Sequence, residues 1–106
     1  MGTFTQASGQ SITDYLLIRQ SGHVVSVWGY LNNVTISSGT TIIGTISNVS
    51  LPADAVRTHC NIGANAYTIG TIAYIGIGTS GNVEIFSPSG GVGSGKTIYF
   101  AVSWIR

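Results

Sequence analysis

The residues that could carry out acid–base or nucleophilic chemistry are few in this chain and far apart in the sequence. The carboxylates are Asp14, Asp54 and Glu84. They fall in different predicted elements, so a general acid–base pair would form only if the fold brought two of them together. His59 and Cys60 are neighbours, and on a strand their side chains point to opposite faces, which argues against a nucleophile acting with its base. The sequence therefore predicts a protein that is not an enzyme.

The histidines and the cysteine do not predict a metal centre. His23, His59 and Cys60 lack the spacing of a metal-ligand set. Cys60 is the single cysteine and cannot form a disulfide within the chain, so we expect a small buried side chain at this position. We predict no metal site and no cofactor.

One motif, which runs from Gly90 to Thr97, matches the phosphate-loop pattern G-x-x-x-x-G-K-[ST]. In nucleotide-binding proteins that loop opens a helix, whose N-terminal amides hold phosphate. Here Thr97 begins an alternation of β-branched and aromatic residues that is typical of a strand, and no carboxylate follows Glu84 to hold magnesium. We therefore expect a glycine-rich hairpin loop over residues 88–96 and no nucleotide binding.

Charged residues make up only 7% of the chain, whereas a typical soluble domain has about a quarter. Either uncharged polar groups keep the surface soluble, or neighbouring subunits cover part of it. The four basic residues are scattered, so we predict no nucleic-acid binding. No apolar run approaches the roughly 18 residues of a membrane span, and the first residues lack the features of a signal peptide. We expect neither membrane insertion nor a signal peptide.

The 106 residues show no helical periodicity, but short apolar runs separated by Gly, Ser and Asn predict strands. These predicted strands are residues 15–20, 23–32, 41–49, 58–64, 71–78, 82–87 and 97–105. Their length and spacing are typical of an antiparallel β-sandwich or jelly roll. We predict one all-β head domain of about seven to eight strands over residues 15–106. Residues 1–14 are expected to be a polar lead-in, the end of an upstream stalk.

Two of the predicted strands, 23–32 and 97–105, are apolar on both faces. One face carries Val25 and Val27 in the first strand and Phe100 in the last. The other face is made by Val24, Trp28, Tyr30, Tyr99, Ala101 and Ile105. An antiparallel strand with one solvated side should be polar on that side. The second face is therefore covered either by a long loop or by a neighbouring subunit.

Residues 51–58 are the most distinctive segment and predict a corner between two sheets. Pro52 and Asp54 mark the turn. We expect Asp54 to accept hydrogen bonds from turn amides and Arg57 to hold a nearby carbonyl or carboxylate. A direct role in binding a ligand is the alternative.

Four segments, taken in order, carry a resemblance to a known family. Residues 22–30 resemble an early strand of the form G-x-V-V-x-V-x-G, and Leu51-Pro52 with Arg57 resembles the corner that follows it. Residues 75–85 are similar to an I-x-I-x-x-x-G-x-V-x-I hairpin, and residues 96–100 to a terminal strand after a Gly/Ser loop. Together they resemble the receptor-binding head domains of phage tail fibres and baseplates, such as those of lactococcal phages.

The resemblance spans about residues 15–105 and implies a non-catalytic β-sandwich homotrimer at the tip of a tail fibre or baseplate. It implies a virion location, other tail or baseplate proteins as partners, and a host-surface polysaccharide or teichoic acid as the ligand. The chain departs from the family at Thr58, where proline is common, so a different corner is expected there.

A saccharide site combines an aromatic platform with planar or hydroxyl-bearing polar groups. The stretch 59–67 has the best mixture of these residues, and we predict that His59, Asn61 and Tyr67 help to line the site. The other candidates are Trp28, Tyr30 and Asp54, together with Asn65 and Tyr74. The alternative for Trp28 is packing in the core or at a subunit interface.

Other function classes stay open at this point. A carbohydrate-binding module of a larger protein would present a solvated face rich in charged residues, which the sequence does not show. A purely structural trimeric cap of a fibre would have the same apolar faces and no ligand.

Overall fold

Eight β-strands make up the secondary structure of the part of the chain that the structure describes. A computed structural model describes residues 2–63, 70–87 and 92–106, apart from the side chains of Asp14 and Tyr15. The strands are β1 (Thr3–Gln6), β2 (Thr13–Ser21), β3 (Val24–Ile36), β4 (Gly39–Ser47), β5 (Val56–Gly63), β6 (Thr71–Ile77), β7 (Asn82–Ser87) and β8 (Gly93–Ile105). None of the described residues forms a helix that could cross a membrane. The prediction of an all-β chain with about seven to eight antiparallel strands is confirmed.

The strands form a single antiparallel sheet that curls until it almost closes. The strand order is β1-β4-β7-β6-β5-β8-β3-β2. At the seam the backbone amide of Gly2, just before β1, donates a hydrogen bond of 3.1 Å to the carbonyl of Ile18 in β2. The result is a flattened, barrel-like sandwich in which each strand has one face inside and one outside.

The sheet opens between β5 and β8. These strands pair at Asn61↔Tyr99, Ile62↔Ile98 and Gly63↔Thr97. Beyond Tyr99, β8 pairs with β3 alone, while β5 continues its pairing with β6. The separation leaves a groove on the outer surface, between the first half of β5 and the second half of β8.

The inward faces of the strands form one core, in which Ile is the commonest residue. The largest fully buried side chains are Ile18, Leu31, Ile36, Ile43, Ile46, Ile75, Ile77, Ile85, Ile98, Val25, Val27 and Val34. Each such side chain stabilises the fold by about 1.5–3 kcal/mol relative to an exposed position. The predicted separation of Val25 and Val27 from Trp28 on opposite faces is confirmed, and the two valines point into the core. Cys60 is also buried, and burial raises the pKa of its thiol to about 12.

The first fourteen residues contribute to the sheet, which differs from the expected polar lead-in. The strand β1 lies within them and pairs with β4, and its Phe4 packs against the core. Ile12 is buried just before β2 begins. A four-residue strand with one large apolar side chain has too little alternation to be recognised from sequence. The upstream stalk stays a prediction.

Two further boundaries differ from the predicted ones. The strand β3 runs on to Ile36, past Asn33, whose φ of 58° marks a bulge where the register with β8 shifts. The strand β8 begins at Gly93, inside the segment expected to be a loop, so Thr97 lies within a strand and not at the start of a helix. Gly90 and Gly91 of that motif lie outside the described residues.

Candidate functional site

Large apolar side chains stand on the outer face of the sheet, exposed to solvent. They are Leu17, Val24, Trp28, Ile42, Ile72, Tyr74, Phe86, Val92, Tyr99 and Ile105. Their exposure follows from strand alternation, since their neighbours in sequence fill the core. Val92 lies just before β8. The others fall into two groups, one on β2, β3 and β8, and the other on β4, β6 and β7.

The first group forms what we call the apolar face: Leu17, Val24, Trp28, Tyr99 and Ile105, on β2, β3 and β8. Trp28 is 39% exposed, Tyr99 44% and Ile105 79%. Sequence analysis expected this second face of β3 and β8 to be covered by a loop or by another subunit. In the single chain no described loop lies over it.

Three aromatic rings, those of Trp28, Tyr30 and Tyr99, pack against one another at the centre of the apolar face. Tyr30 and Tyr99 are cross-strand partners on β3 and β8. The ring of Tyr99 meets Trp28 edge to face, with centroids 5.5 Å apart and planes at 87°. It meets Tyr30 at 5.9 Å and 68°. Such contacts stabilise a pair by about 0.5–1.5 kcal/mol beyond burial, so the three rings form a fixed surface.

A groove of about 490 Å³ lies beside these rings, where β5 and β8 separate. We call it the Arg19 groove. Its lining includes Arg19, Ser26, Trp28, Arg57 and Ser103. Two guanidinium groups with nearby hydroxyls and an indole suit an anionic or hydroxyl-rich ligand, because guanidinium forms its strongest hydrogen bonds with charged oxygen acceptors.

A second depression, of about 460 Å³, lies on the other half of the outer face. We call it the Gly76 cleft, and its lining is Thr40, Arg57, Tyr74, Gly76, Glu84 and Phe86. The two aromatic residues are cross-strand partners, and Gly76 is the partner of Arg57 on one side and of Glu84 on the other. The cleft therefore has aromatic rings along one side and one charge of each sign at its two ends.

The strand β5 places His59 and Asn61 between two sets of aromatic rings. One set is Trp28, Tyr30 and Tyr99, and the other is Tyr74 and Phe86. The imidazole of His59 packs on Tyr74 with ring centroids 4.8 Å apart and planes inclined by 35°. Asn61 is the cross-strand partner of both Tyr99 and Ile72. Its Oδ1 accepts a hydrogen bond of 2.8 Å from the amide of Gly70, so this side chain helps to fix the start of β6.

The structure brings five of the eight predicted site residues onto the outer face of the sheet. They are Trp28, Tyr30, His59, Asn61 and Tyr74, on β3, β5 and β6. Asp54 lies elsewhere: it is exposed and lines a separate depression with Val24, Trp104 and Ile105. Tyr67, like Asn65, lies outside the described residues.

Sequence analysis did not identify Thr40, Glu84 or Phe86 as parts of a site. Glu84 sat in a predicted hairpin strand and was considered only as a catalytic acid. The missing information was the pairing of β4, β7, β6 and β5, which places these residues beside Tyr74 and Arg57. Among the described residues, no group of three or more His, Cys, Asp or Glu side chains could hold a metal ion.

Comparison with known proteins reveals a structural likeness. The chain is similar to the head domain of phage bIL170. The crystal structure of that domain raised the question whether the receptor-binding domains of lactococcal phages share a common fold. The match covers 97% of this chain and 96% of the phage chain, with a TM-score of 0.71 and 24% sequence identity. The chain therefore has the fold of that head domain, as the resemblance in sequence predicted. No protein family matches the sequence, and no curated protein does.

Proposed function

We propose that the chain is the receptor-binding head of a phage or prophage tail, and that it adheres to saccharides on the host cell surface. The observation that carries this proposal is the match of nearly the whole chain to the phage head domain. A likeness that covers both chains almost completely supports a shared role more strongly than a shared motif would. The role is binding without catalysis, at a tail fibre or baseplate of the virion, among other tail proteins.

We also propose that the head is a homotrimer in which neighbouring subunits cover the apolar face. Large exposed apolar side chains that group on one part of a surface mark an interaction site, and here they lie on both sides of the polar row Arg19, Ser26 and Ser103. The apolar face carries a tryptophan, a tyrosine and three aliphatic side chains, and aromatic residues are enriched in the cores of interfaces. The low charge of the chain fits the same arrangement, because part of the surface then needs no charge to stay soluble.

The proposed ligand is a host-surface polysaccharide or teichoic acid. His59, Asn61, Trp28 and Tyr30 remain the candidate contacts on the outer face. Tyr67 and Asp54 stay proposed contacts, although Asp54 lines a separate depression. In a trimer the Arg19 groove beside Trp28 would lie near a subunit boundary, where a saccharide could contact two chains. Hydroxyl-bearing and planar polar groups beside aromatic rings are the usual components of such sites.

The test is binding of fluorescently labelled head to intact lactococcal cells, with purified wall polysaccharide as the competitor. We expect cell binding that the polysaccharide displaces, and a mass in solution of three chains. A trimer that binds neither cells nor polysaccharide from any strain tested would favour the structural cap of a fibre. A monomer that binds polysaccharide would favour the carbohydrate-binding module.

A further inference from the structure

Two rows of cross-strand neighbours define the Gly76 cleft. One row is Ile42, Glu84, Gly76 and Arg57, and the next is Thr40, Phe86, Tyr74 and His59, each taken across β4, β7, β6 and β5. Adjacent strands lie about 4.8 Å apart, so the backbones of Glu84 and Arg57 stand about 10 Å apart, and Gly76 places no side chain between them. The cleft, of about 460 Å³, is large enough for one sugar ring and its hydroxyl groups.

The glycine at the floor of the cleft leaves room for the side chain of Arg57. A Cβ atom at residue 76 would be 3.1 Å from Cγ of Arg57 and 3.1 Å from the carbonyl oxygen of Val56. It would also be 4.0 Å from Nε of Arg57. The arginine side chain therefore extends over Gly76 through space that a larger residue would occupy, and it lines the cleft as well as the Arg19 groove.

The polar groups of the cleft are available to a ligand. Among the described residues, neither Arg57 nor Glu84 has a hydrogen-bond or ion-pair partner. The carboxylate of Glu84 accepts hydrogen bonds only and can take two from a pair of sugar hydroxyls, whereas the guanidinium of Arg57 donates to ring or hydroxyl oxygens. Tyr74 and Phe86, 49% and 54% exposed, offer apolar surface to the C–H face of a pyranose ring.

The balance of charge distinguishes this cleft from the Arg19 groove. The groove contains two arginines and, among its described lining residues, no carboxylate. The cleft pairs one cation with one anion, so Glu84 repels a phosphate or uronate that Arg57 would attract. A subunit interface is a poorer explanation for this surface, because it would bury Glu84 and acidic residues are depleted at interfaces.

We propose that the Gly76 cleft binds one neutral hexose unit of the host glycan, with its ring against Tyr74 or Phe86 and its hydroxyls on Glu84 and Arg57. This inference rests on the proposed function and assigns it a site and a ligand class. The hexose is held by its hydroxyl pattern and its apolar face, and any phosphate of the polymer lies outside the cleft.

The test is a titration of the native head with methyl hexopyranosides as neutral probes and with glycerol 1-phosphate as the anionic probe. Changes in the backbone amide chemical shifts, measured by NMR, report binding. We expect shifts centred on Gly76 and Glu84 with at least one hexoside, and a millimolar dissociation constant, as is usual for a single small ligand. Phe86→Ala and Glu84→Gln should each weaken hexoside binding by about tenfold. Glu84→Gln should strengthen binding of glycerol 1-phosphate.

The control variant is Ile72→Ala, which removes an exposed side chain from the same strand as Tyr74 but outside the cleft. It should bind the hexoside as the native head does. The proposal is overturned if glycerol 1-phosphate shifts the cleft amides more strongly than every hexoside. It is also overturned if no hexoside shifts them at a concentration of about 10 mM, ten times a millimolar dissociation constant.

Cell binding separates this inference from the proposed function. If the native head binds cells and both Phe86→Ala and Glu84→Gln bind them equally well, the cleft is not the site, although the adhesive function stands. If hexosides bind the cleft but the native head binds no host cell or wall polysaccharide, the cleft assignment stands and the adhesive function fails.

Discussion

The indole nitrogen of Trp104 donates a hydrogen bond of 2.9 Å to the backbone carbonyl of Ser50. The amide of Ser50 donates in turn to Oε1 of Gln20 at 2.8 Å, and Nε2 of Gln20 donates to the serine hydroxyl at 2.9 Å. This chain of bonds joins β8, the segment after β4, and β2 at one end of the sandwich. Trp104 is thus a core residue, in contrast to Trp28 on the outer face.

We expect Trp104→Phe to lower the free energy of unfolding by about 1–2 kcal/mol, because the Ser50 carbonyl loses its partner and the smaller ring leaves a gap. Trp104→Ala should cost about 3–5 kcal/mol. Urea denaturation measures both values. Ile105→Ala, next in sequence but 79% exposed, is the control and should change stability little. Equal losses for the Trp104 and Ile105 variants would contradict the packing described here.

A charge introduced in the apolar face and a charge introduced in the Gly76 cleft should have different effects on the trimer. Trp28→Glu places a carboxylate in the proposed subunit interface and should convert trimers to monomers without unfolding them. Phe86→Glu places it in the Gly76 cleft and should leave the trimer intact. Light scattering on a sizing column gives the mass, and circular dichroism reports the fold. If Phe86→Glu, and not Trp28→Glu, breaks the trimer, the interface lies on the other half of the sheet.

Alanine at two neighbouring glycines should have unequal effects. A Cβ at residue 76 meets Arg57 and the carbonyl of Val56 at 3.1 Å, whereas one at residue 78 has its nearest neighbour, the carbonyl of Asn82, at 3.9 Å. Gly76→Ala should therefore displace the arginine, weaken hexoside binding and cost about 1 kcal/mol. Gly78→Ala should leave binding as it is. Unchanged binding in both variants would mean that the position of Arg57 does not matter to the ligand.

The buried thiol of Cys60 predicts a dependence of stability on alkaline pH. Burial raises its pKa from 9.0 to about 12, so between these values the unfolded chain releases the proton while the folded chain keeps it. Stability is then lost as pH rises, by up to about 1.4 kcal/mol per pH unit from this group. Cys60→Ala should show a smaller loss than the native chain between pH 9 and 12 in thermal unfolding. Parallel losses in the two chains would mean that other groups are responsible.

Alternation along single strands was readable from the sequence, because it depends only on local geometry. It predicted that Val25 and Val27 lie on one face of the strand and Trp28 on the other, and the structure agrees, with the valines in the core. The pairing of distant strands was not readable, since it depends on how the whole sheet closes. For that reason Glu84 was considered only for catalysis and Phe86 not at all, although both line a cleft with Arg57.

Local deviations from ideal strands were equally hard to predict. Asn33 adopts a positive φ within β3, where the sequence suggested the end of a strand. The side-chain amide of Asn33 donates a hydrogen bond to the backbone carbonyl of Ser11. Ser11 belongs to the segment that was expected to lie outside the domain. The strand continues because a partner from far along the chain stabilises the bulge.

The first and last strands of the sheet meet at the hydrogen bond between Gly2 and Ile18. This contact affects how readily crowded copies of the chain aggregate through their sheet edges. An open sheet presents a row of unsatisfied backbone groups that recruits strands from other molecules and starts aggregation. A chain that is 43% hydrophobic and 7% charged has little charge repulsion to prevent this. At the seam the amide of Gly2 and the carbonyl of Ile18 satisfy each other, so copies held side by side meet less of that template and can associate through side chains.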